Sequence, residues 1–298
     1  MSDMALAPGA PAVGRRDAAK HGERPRSLPA APGLADAVTE VTVGELQRAW
    51  RAIRAGGFAD AARPVVWRAA EPVLVVLGAH GQSGASTLAL ALASAAAPAR
   101  VVECASAASS GLVAASTAEL GASEDGGWLR GTRGEVLIER NAVPAVGPVD
   151  VPRPLAADRP LSLTVVDLGW APAHLLSVPS WLCGLVLGAR CVVVTATATV
   201  PGLRRLETTL TLLPGQVCVA AVLGPPVRRW PKQVAASAGP LTRDLIAAQR
   251  VVGVPELAAV RVAGVTPEPL SRALLAAAEE VLRAAGEPVP TPDLEDES

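Results

Sequence analysis

Short apolar runs alternate with helix-forming segments from residue 72 to residue 285 of the chain. Buried strands of a parallel sheet read as continuous Val- and Leu-rich runs, whereas helices repeat apolar residues every three or four positions. The runs predict strands over 73–78, 101–104, 135–139, 161–168, 191–196, 217–224 and 251–254. The segments between them predict helices over about 85–97, 110–120, 173–187, 201–213, 241–249 and 267–285. This order predicts an α/β fold: a doubly wound, mostly parallel sheet flanked by helices.

The segments outside this alternation define the predicted domain organisation. The first 40 residues are rich in Pro, Ala and Arg and lack the apolar core of a secretory signal. A capping box, Thr42-Val-Gly-Glu45, opens an amphipathic helix that Gly56-Gly57 ends. The prediction is a disordered tail (1–40), a helix and linker (41–70), an α/β domain (71–285) with an insertion or lid (121–160), and an acidic tail (286–298).

Composition removes several classes of function. The 298 residues carry a net charge of −1, which does not favour a DNA-binding role, and the acidic tail does not favour an anionic membrane surface. The chain has no Tyr, and its 27 basic residues include only two Lys, Lys20 and Lys232. Four Cys without a C-x-x-C pair indicate buried thiols in a reducing cytoplasm. Heavy use of Ala and Arg is typical of a GC-rich, actinobacterial genome.

A glycine-rich turn joins the first strand to the first helix, between Gly78 and Thr87. Backbone N–H groups at such a helix N-terminus bind anions, and Gly lets a phosphate approach closely. Read as G-x-x-G-x-x-G, with Glu103 ending the next strand, the turn fits a dinucleotide-binding fold. A dehydrogenase that uses a catalytic Tyr is excluded, so this interpretation leaves a non-catalytic dinucleotide binder.

The second interpretation of the turn is a P-loop, G-x-x-x-x-G-K-[ST]. Aligned on Gly84, this motif places Ala85 at the Lys and Ser86 at the hydroxyl residue that ligates Mg²⁺. Thr87 follows, and the Ser-Thr pair favours the P-loop over the dinucleotide motif. A turn that binds nothing remains a third interpretation.

The segment His80-Gly-Gln-Ser-Gly-Ala-Ser-Thr87 resembles the deviant Walker A motif of the ParA/MinD-type (SIMIBI class) P-loop ATPases, K-G-G-x-G-K-[ST]-[ST]. Asp167 and Gly169, after a buried strand, resemble the Walker B and switch II of that superfamily. More narrowly, the chain resembles a group of actinobacterial relatives of unassigned function. The resemblance implies ATP and Mg²⁺ as ligands, with Ser86 and, through water, Asp167 holding the metal. Its implied nucleotide-binding residues are Gly78, His80, Gly81, Gln82, Ser83, Gly84, Ala85, Ser86, Thr87 and Gly169.

The departures from the motif shape the predicted function. His80 replaces the signature Lys, Ala85 replaces the P-loop Lys, and Ala105 stands where switch I has an Asp. A single cation at the transition state of phosphoryl transfer is worth roughly 10³–10⁵ in rate. We therefore expect a degenerate, cytoplasmic nucleotide-binding protein with little or no hydrolysis, regulatory or scaffolding, acting as a homodimer or with a protein partner.

Three alternatives stay open at this point. In the first, the chain is an active ATPase in which an Arg, with Arg130 and Arg133 as candidates, replaces the missing Lys. In the second, the fold acts only as a protein-interaction module. In the third, Asp167 caps a helix instead of holding a metal. In the P-loop interpretation Asp167 must end a strand next to 73–78, with its carboxylate near Ser86.

Overall fold

The strand order of the sheet is β3-β4-β5-β2-β6-β1-β7-β8-β9 in a computed structural model that describes residues 67–287. The predicted tail over 1–40, the predicted helix over 42–57 and all but the first residues of the acidic tail lie outside the described residues. The strands are β1 (Val73–Gly78), β2 (Ala99–Glu103), β3 (Ala118–Ala122), β4 (Trp128–Arg133), β5 (Val136–Asn141), β6 (Leu163–Asp167), β7 (Val192–Thr197), β8 (Cys218–Leu223) and β9 (Val251–Val254).

Eight helices accompany these strands in the part of the chain that the structure describes. They are α1 (Ala85–Ala95), α2 (Pro172–Ser177), α3 (Trp181–Gly188), α4 (Val200–Thr211), α5 (Lys232–Ala236), α6 (Pro240–Ala247), α7 (Ala258–Ala263) and α8 (Arg272–Ala285). Every neighbouring pair from β5 to β9 is parallel, whereas β4 runs antiparallel to both β3 and β5. The predicted fold class, a doubly wound and mostly parallel α/β sheet, is confirmed.

Helices cover both faces of the sheet, as continuous apolar strands require. Helices α1 and α8 pack on one face, where Leu88 and Val281 are fully buried against the strands. Helices α2 to α5 pack on the other face, with Leu206 and Trp181 in its core. Strand β1 lies between β6 and β7 in the middle of the sheet, so the turn that follows Gly78 leaves from the centre of the carboxyl edge.

The helix predicted over 110–120 is wrong. Residues 110–117 are irregular and follow a 3-10 turn (Ala107–Ser109), and β3 begins at Ala118. The carboxylate of Glu103 accepts the N–H groups of Gly111 and Leu112, which ties this segment to the end of β2. The segment 121–160 supplies β4 and β5 to the sheet.

The last helix starts later than predicted, at Arg272, because Ser271 caps it by accepting the N–H of Leu274. Gly286, in the left-handed conformation, ends it. Strands β3 and β4 and the short helices α5 and α7 were not predicted from the sequence. Among the described residues, no helix has the length and apolar character that crossing a membrane requires.

Candidate functional site

The glycine-rich loop after β1 is tied to the neighbouring strand β7 rather than hanging free. The N–H of Ala79 donates to the carbonyl of Thr195 (2.9 Å), and the hydroxyls of Ser83 and Thr195 hydrogen-bond at 2.7 Å. Both of these side chains are buried. An added Cβ at Gly78 would come within 3.0 Å of the Ser83 hydroxyl oxygen, so Gly78 lets the loop fold back on itself. The loop is therefore held in one shape by the protein alone.

The backbone of the loop forms an anion-binding concavity. Gln82 and Gly84 have positive φ angles of 60° and 84°, and α1 begins immediately after Gly84. Within residues 67–287, no acceptor takes the N–H groups of Gln82, Gly84, Ala85, Ser86 or Thr87. The first amides of a helix have no intrahelical partner, and they carry the positive end of its dipole. This is the arrangement that cradles a phosphate.

Both ring nitrogens of His80 face protein atoms. Its Nδ1 lies 2.8 Å from the carbonyl oxygen of Gly81, so Nδ1 carries a hydrogen and donates it. Its Nε2 lies 3.4 Å from the hydroxyl of Thr197. The ring is half-buried between the loop and the end of β7. Gly81 and Gln82 are the exposed positions of the loop.

Asp167 lies at the centre of the site with its carboxylate unsatisfied. It ends β6, pairs in register with Val76 of β1, and is 0% exposed. Among the described residues, no donor meets either carboxylate oxygen with normal hydrogen-bond geometry. The Ser86 hydroxyl and the Gly169 amide are close enough to lower its pKa, but burial and the neighbouring Glu103 outweigh them and raise the pKa to about 7. A buried carboxylate without partners is costly, and a ligand would relieve that cost.

Asp167 is not a helix cap. The next helix, α2, begins at Pro172 and has Ala171 at its N-cap position. The geometric condition set by the P-loop interpretation is met, because Asp167 ends a strand next to β1 and its carboxylate lies beside the Ser86 hydroxyl.

Glu103 is the second buried carboxylate at this edge, at 1% exposure. It is in register with Asp167 across the β2–β6 pair, and Arg140 of β5 is in register on its other side. Residues in register on parallel strands share a face of the sheet, so all three face α1. Arg140 bonds to Glu119 at 3.2 Å. Burial raises the pKa of Glu103, although hydrogen bonds from Ser110 and the Gly111 and Leu112 amides oppose this.

Gly169 brings the loops after β2 and β6 into contact. Its φ is 66°, and an added Cβ would meet the backbone of Ala105 at 2.6 Å. The Trp170 ring N–H donates to the carbonyl of Cys104 at 2.9 Å. Ala105, at the switch I position, is therefore packed against this loop and supplies no charge.

The Arg candidates for the missing Lys are engaged elsewhere. Arg130 pairs with Glu139 and Asp158, at 3.3 and 2.8 Å. Arg133 is in register with Val136, at the start of β5, and so lies at the edge of the sheet opposite the loop. Its guanidinium donates to the carbonyls of Thr266 and Ala115. Among the described residues, no group of three or more His, Cys, Asp or Glu side chains forms a metal-binding cluster.

Sequence reasoning missed Thr195, Arg140 and the Ser110–Leu112 segment. Thr195 is a polar residue inside the apolar run of β7, and that interruption was the available signal. Arg140 follows a predicted strand directly. Nothing in the local sequence indicates that Ser110–Leu112 contacts Glu103.

This fold is a doubly wound α/β sheet with a glycine-rich loop between its central strand β1 and helix α1. No protein-family model matches the sequence, and no curated protein sequence matches it. The structure is similar to a putative plasmid partition protein from Borrelia burgdorferi bound to AMPPNP, with a TM-score of 0.44, 11% identity and coverage of 72% of this chain and 97% of that one. It is also similar to the ATP complex of a McdA variant from Cyanothece, with a TM-score of 0.44, 14% identity and coverage of 75% and 100%. The cell division ATPase MinD of Pyrococcus furiosus gives a TM-score of 0.41, 13% identity and coverage of 71% and 98%.

Proposed function

We propose that this chain binds Mg·ATP in the loop between Gly78 and Thr87 and hydrolyses it little or not at all. The observation that carries the proposal is the pairing of two groups without hydrogen-bond partners in the described part of the chain. They are the amides at the start of α1 and the buried carboxylate of Asp167 beside Ser86. The amides suit a phosphate, and the carboxylate suits a cation next to it. Backbone donors supply this phosphate contact without any Lys side chain.

The residues present fit a magnesium ion. Mg²⁺ takes oxygen ligands and keeps several of its waters, commonly with one or two carboxylates and substrate phosphates. The Ser86 hydroxyl would ligate the ion directly, and the buried Asp167 carboxylate beside it would hold one of its waters. The ion would neutralise phosphate charge in a loop that has no cationic side chain. Gly169 would present its backbone beside the same carboxylate.

Low hydrolysis follows from the missing charges. Catalysis of phosphoryl transfer depends on positioning and on stabilising the charge of the transition state. In this loop Ala85 is uncharged and the His80 ring is bonded to Gly81 and Thr197. Removing a single cation costs roughly 10³–10⁵ in rate in well-studied cases. A protein that binds without turning over acts through its bound state, so the proposed role is regulatory or scaffolding, in the cytoplasm, as a homodimer or with a protein partner.

The test is calorimetric titration of the full chain with Mg·ATP, followed by a phosphate-release assay. We expect saturable binding without turnover, weakened by Asp167→Asn. The matched control is Asp158→Asn, which removes an exposed carboxylate paired with Arg130 and should leave the affinity unchanged. Turnover that Asp167→Asn abolishes would establish an active ATPase instead. No binding at millimolar Mg·ATP would leave a protein-interaction module.

A further inference from the structure

The segment Ser110–Leu112, called the strap below, lies directly against the hydroxyl residue of the loop. An added Cβ at Gly111 would stand 2.7 Å from both the Cβ and the hydroxyl oxygen of Ser86. On its other side, Ser86 lies beside Asp167. The strap therefore covers the approach to the hydroxyl that the proposed function assigns to a cation.

A single side chain holds most of the strap. The Glu103 carboxylate accepts hydrogen bonds from the Ser110 hydroxyl (2.5 Å) and from the Gly111 and Leu112 amides (2.6 and 3.1 Å). The Leu112 side chain is buried in the core below α1 and anchors the carboxyl end of the strap. Gly111 itself is exposed, as are all three residues of the preceding 3-10 turn, Ala107–Ser109. Apart from Glu103, no described residue accepts a hydrogen bond from Ser110 or Gly111.

We infer that Glu103 is a positioning residue that keeps the strap over Ser86 and so controls access to the loop. The inference rests on the proposed function for what enters the site, but the closure itself is a property of Glu103, Gly111 and Ser86. Hydrogen bonds to a charged group are stronger than those between neutral groups. Three of them on the buried Glu103 carboxylate therefore hold the strap in its closed position. Entry of Mg·nucleotide requires the Ser110 and Gly111 contacts to open, while Leu112 stays in the core.

Thiol reactivity tests the closure without any nucleotide. All four native Cys are buried, so Ser86→Cys introduces the one thiol at the strap. In the full chain, an uncharged maleimide should label this variant slowly. Adding Glu103→Ala should speed labelling at least about tenfold, since a hydrogen bond to a charged group is individually worth about that factor. Gly188→Ala is the matched control, because an added Cβ there meets nothing within 4 Å, and it should leave the rate unchanged.

A second variant opens the strap without touching Glu103. Gly111→Ala forces a methyl group to within 2.7 Å of the Cβ at position 86, so it should lift the strap and speed labelling of the introduced thiol in the same way. Circular dichroism of each variant confirms that it is folded. If neither Glu103→Ala nor Gly111→Ala speeds the labelling, the strap does not control access and the inference is overturned.

Adding Mg·ATP to the same labelling reaction separates this inference from the proposed function. Faster labelling in the opened variants supports the strap whether or not Mg·ATP protects, because Ser86→Cys removes the oxygen ligand proposed for Mg²⁺. Calorimetric titration of the chain with Ser86 intact then decides whether nucleotide binds. Protection of the introduced thiol by Mg·ATP, with equal rates in all variants, supports nucleotide binding and rejects the strap.

Discussion

Asp167 of β6 and Glu103 of β2 are in register with each other, and their carboxylates differ in hydrogen bonding. Glu103 accepts three hydrogen bonds from the strap, whereas neither oxygen of Asp167 has a hydrogen-bond partner within residues 67–287. Both are almost completely buried, so the difference lies in what surrounds them rather than in exposure. One carboxylate is therefore satisfied by the protein, and the other is not satisfied by any described residue.

Asp167 should make the protein less stable as the pH rises. Its pKa is about 7 in the folded chain against 3.8 for an ordinary Asp, because burial and Glu103 disfavour its charge. Between about pH 4 and pH 7, the folded state therefore holds a proton that the unfolded state has released. The stabilisation that is fully present below pH 4 is lost as the pH rises through 7. The loss in the free energy of unfolding is at most about 4 kcal/mol, because each pH unit between the two pKa values contributes roughly 1.4 kcal/mol.

Denaturant unfolding at pH 5 and pH 8, without nucleotide or metal, measures this effect. In the Asp167→Asn variant, the free energy of unfolding should differ less between pH 5 and pH 8. At pH 8 this variant should be more stable than the unmodified protein. Asp158→Asn is the control. The Arg130 partner holds the pKa of Asp158 below its ordinary range, so Asp158 stays ionised between pH 5 and 8. An unchanged slope in Asp167→Asn would show that this carboxylate is not the group that titrates.

Restoring a Lys in the loop should strengthen phosphate binding. Ala85 occupies the Lys position at the first residue of α1, where a cation would add to the free amides. Ala85→Lys should tighten Mg·ATP at least about tenfold, a change of roughly 1.4 kcal/mol. Ala85→Met provides a similar length without charge and should not tighten binding. Equal gains in the two variants would assign the effect to packing rather than to charge, and calorimetry measures both.

Gly169→Ala should destabilise the protein by about 2–4 kcal/mol. Two costs add: a residue other than Gly at φ 66°, and a Cβ that meets the Ala105 backbone at 2.6 Å. Gly215→Ala separates them, because Gly215 has φ 78° but no atom within 4 Å of an added Cβ. We expect Gly215→Ala to cost about 1 kcal/mol, from the backbone alone. Comparable losses in the two variants would mean that the contact with Ala105 yields easily.

Arg100→Met should cost about 3 kcal/mol or more in the free energy of unfolding. Arg100 is 1% exposed and pairs with Glu71 and Glu139, so its loss leaves two poorly exposed carboxylates without their partner. Arg261→Met is the matched control, since the Arg261–Glu256 pair is largely exposed and should contribute less than about 1 kcal/mol. A small loss in Arg100→Met would show that Glu71 and Glu139 take up protons instead.

The sequence predicts the sheet well because its central strands are continuous apolar runs. Strands β1 and β9 have the predicted bounds, and most of the other predicted strands differ by one or two residues. The failures lie where local pattern and tertiary contacts disagree. Residues 110–117 were predicted as part of a helix, but the Glu103 carboxylate, eight and nine residues away, accepts the Gly111 and Leu112 N–H groups and ties the segment to the end of β2. Strand β3 is exposed at all five positions, so it shows no apolar pattern.

The candidate site was predictable as far as its motif extends. The motif identifies Gly84, Ser86 and Asp167, and the structure brings Asp167 beside Ser86. The motif does not indicate that Arg133 lies at the opposite edge of the sheet, because that depends on β4 running antiparallel. Nor does it indicate the strap, which joins residues of three separate segments.

The hydrogen bond between Ser83 and Thr195 has an evolutionary consequence. Because the protein itself fixes the shape of the loop through these two buried hydroxyls, the shape does not depend on the residue at position 85. In an alignment of homologues, positions 83 and 195 should covary with each other, and position 85 should vary independently of both.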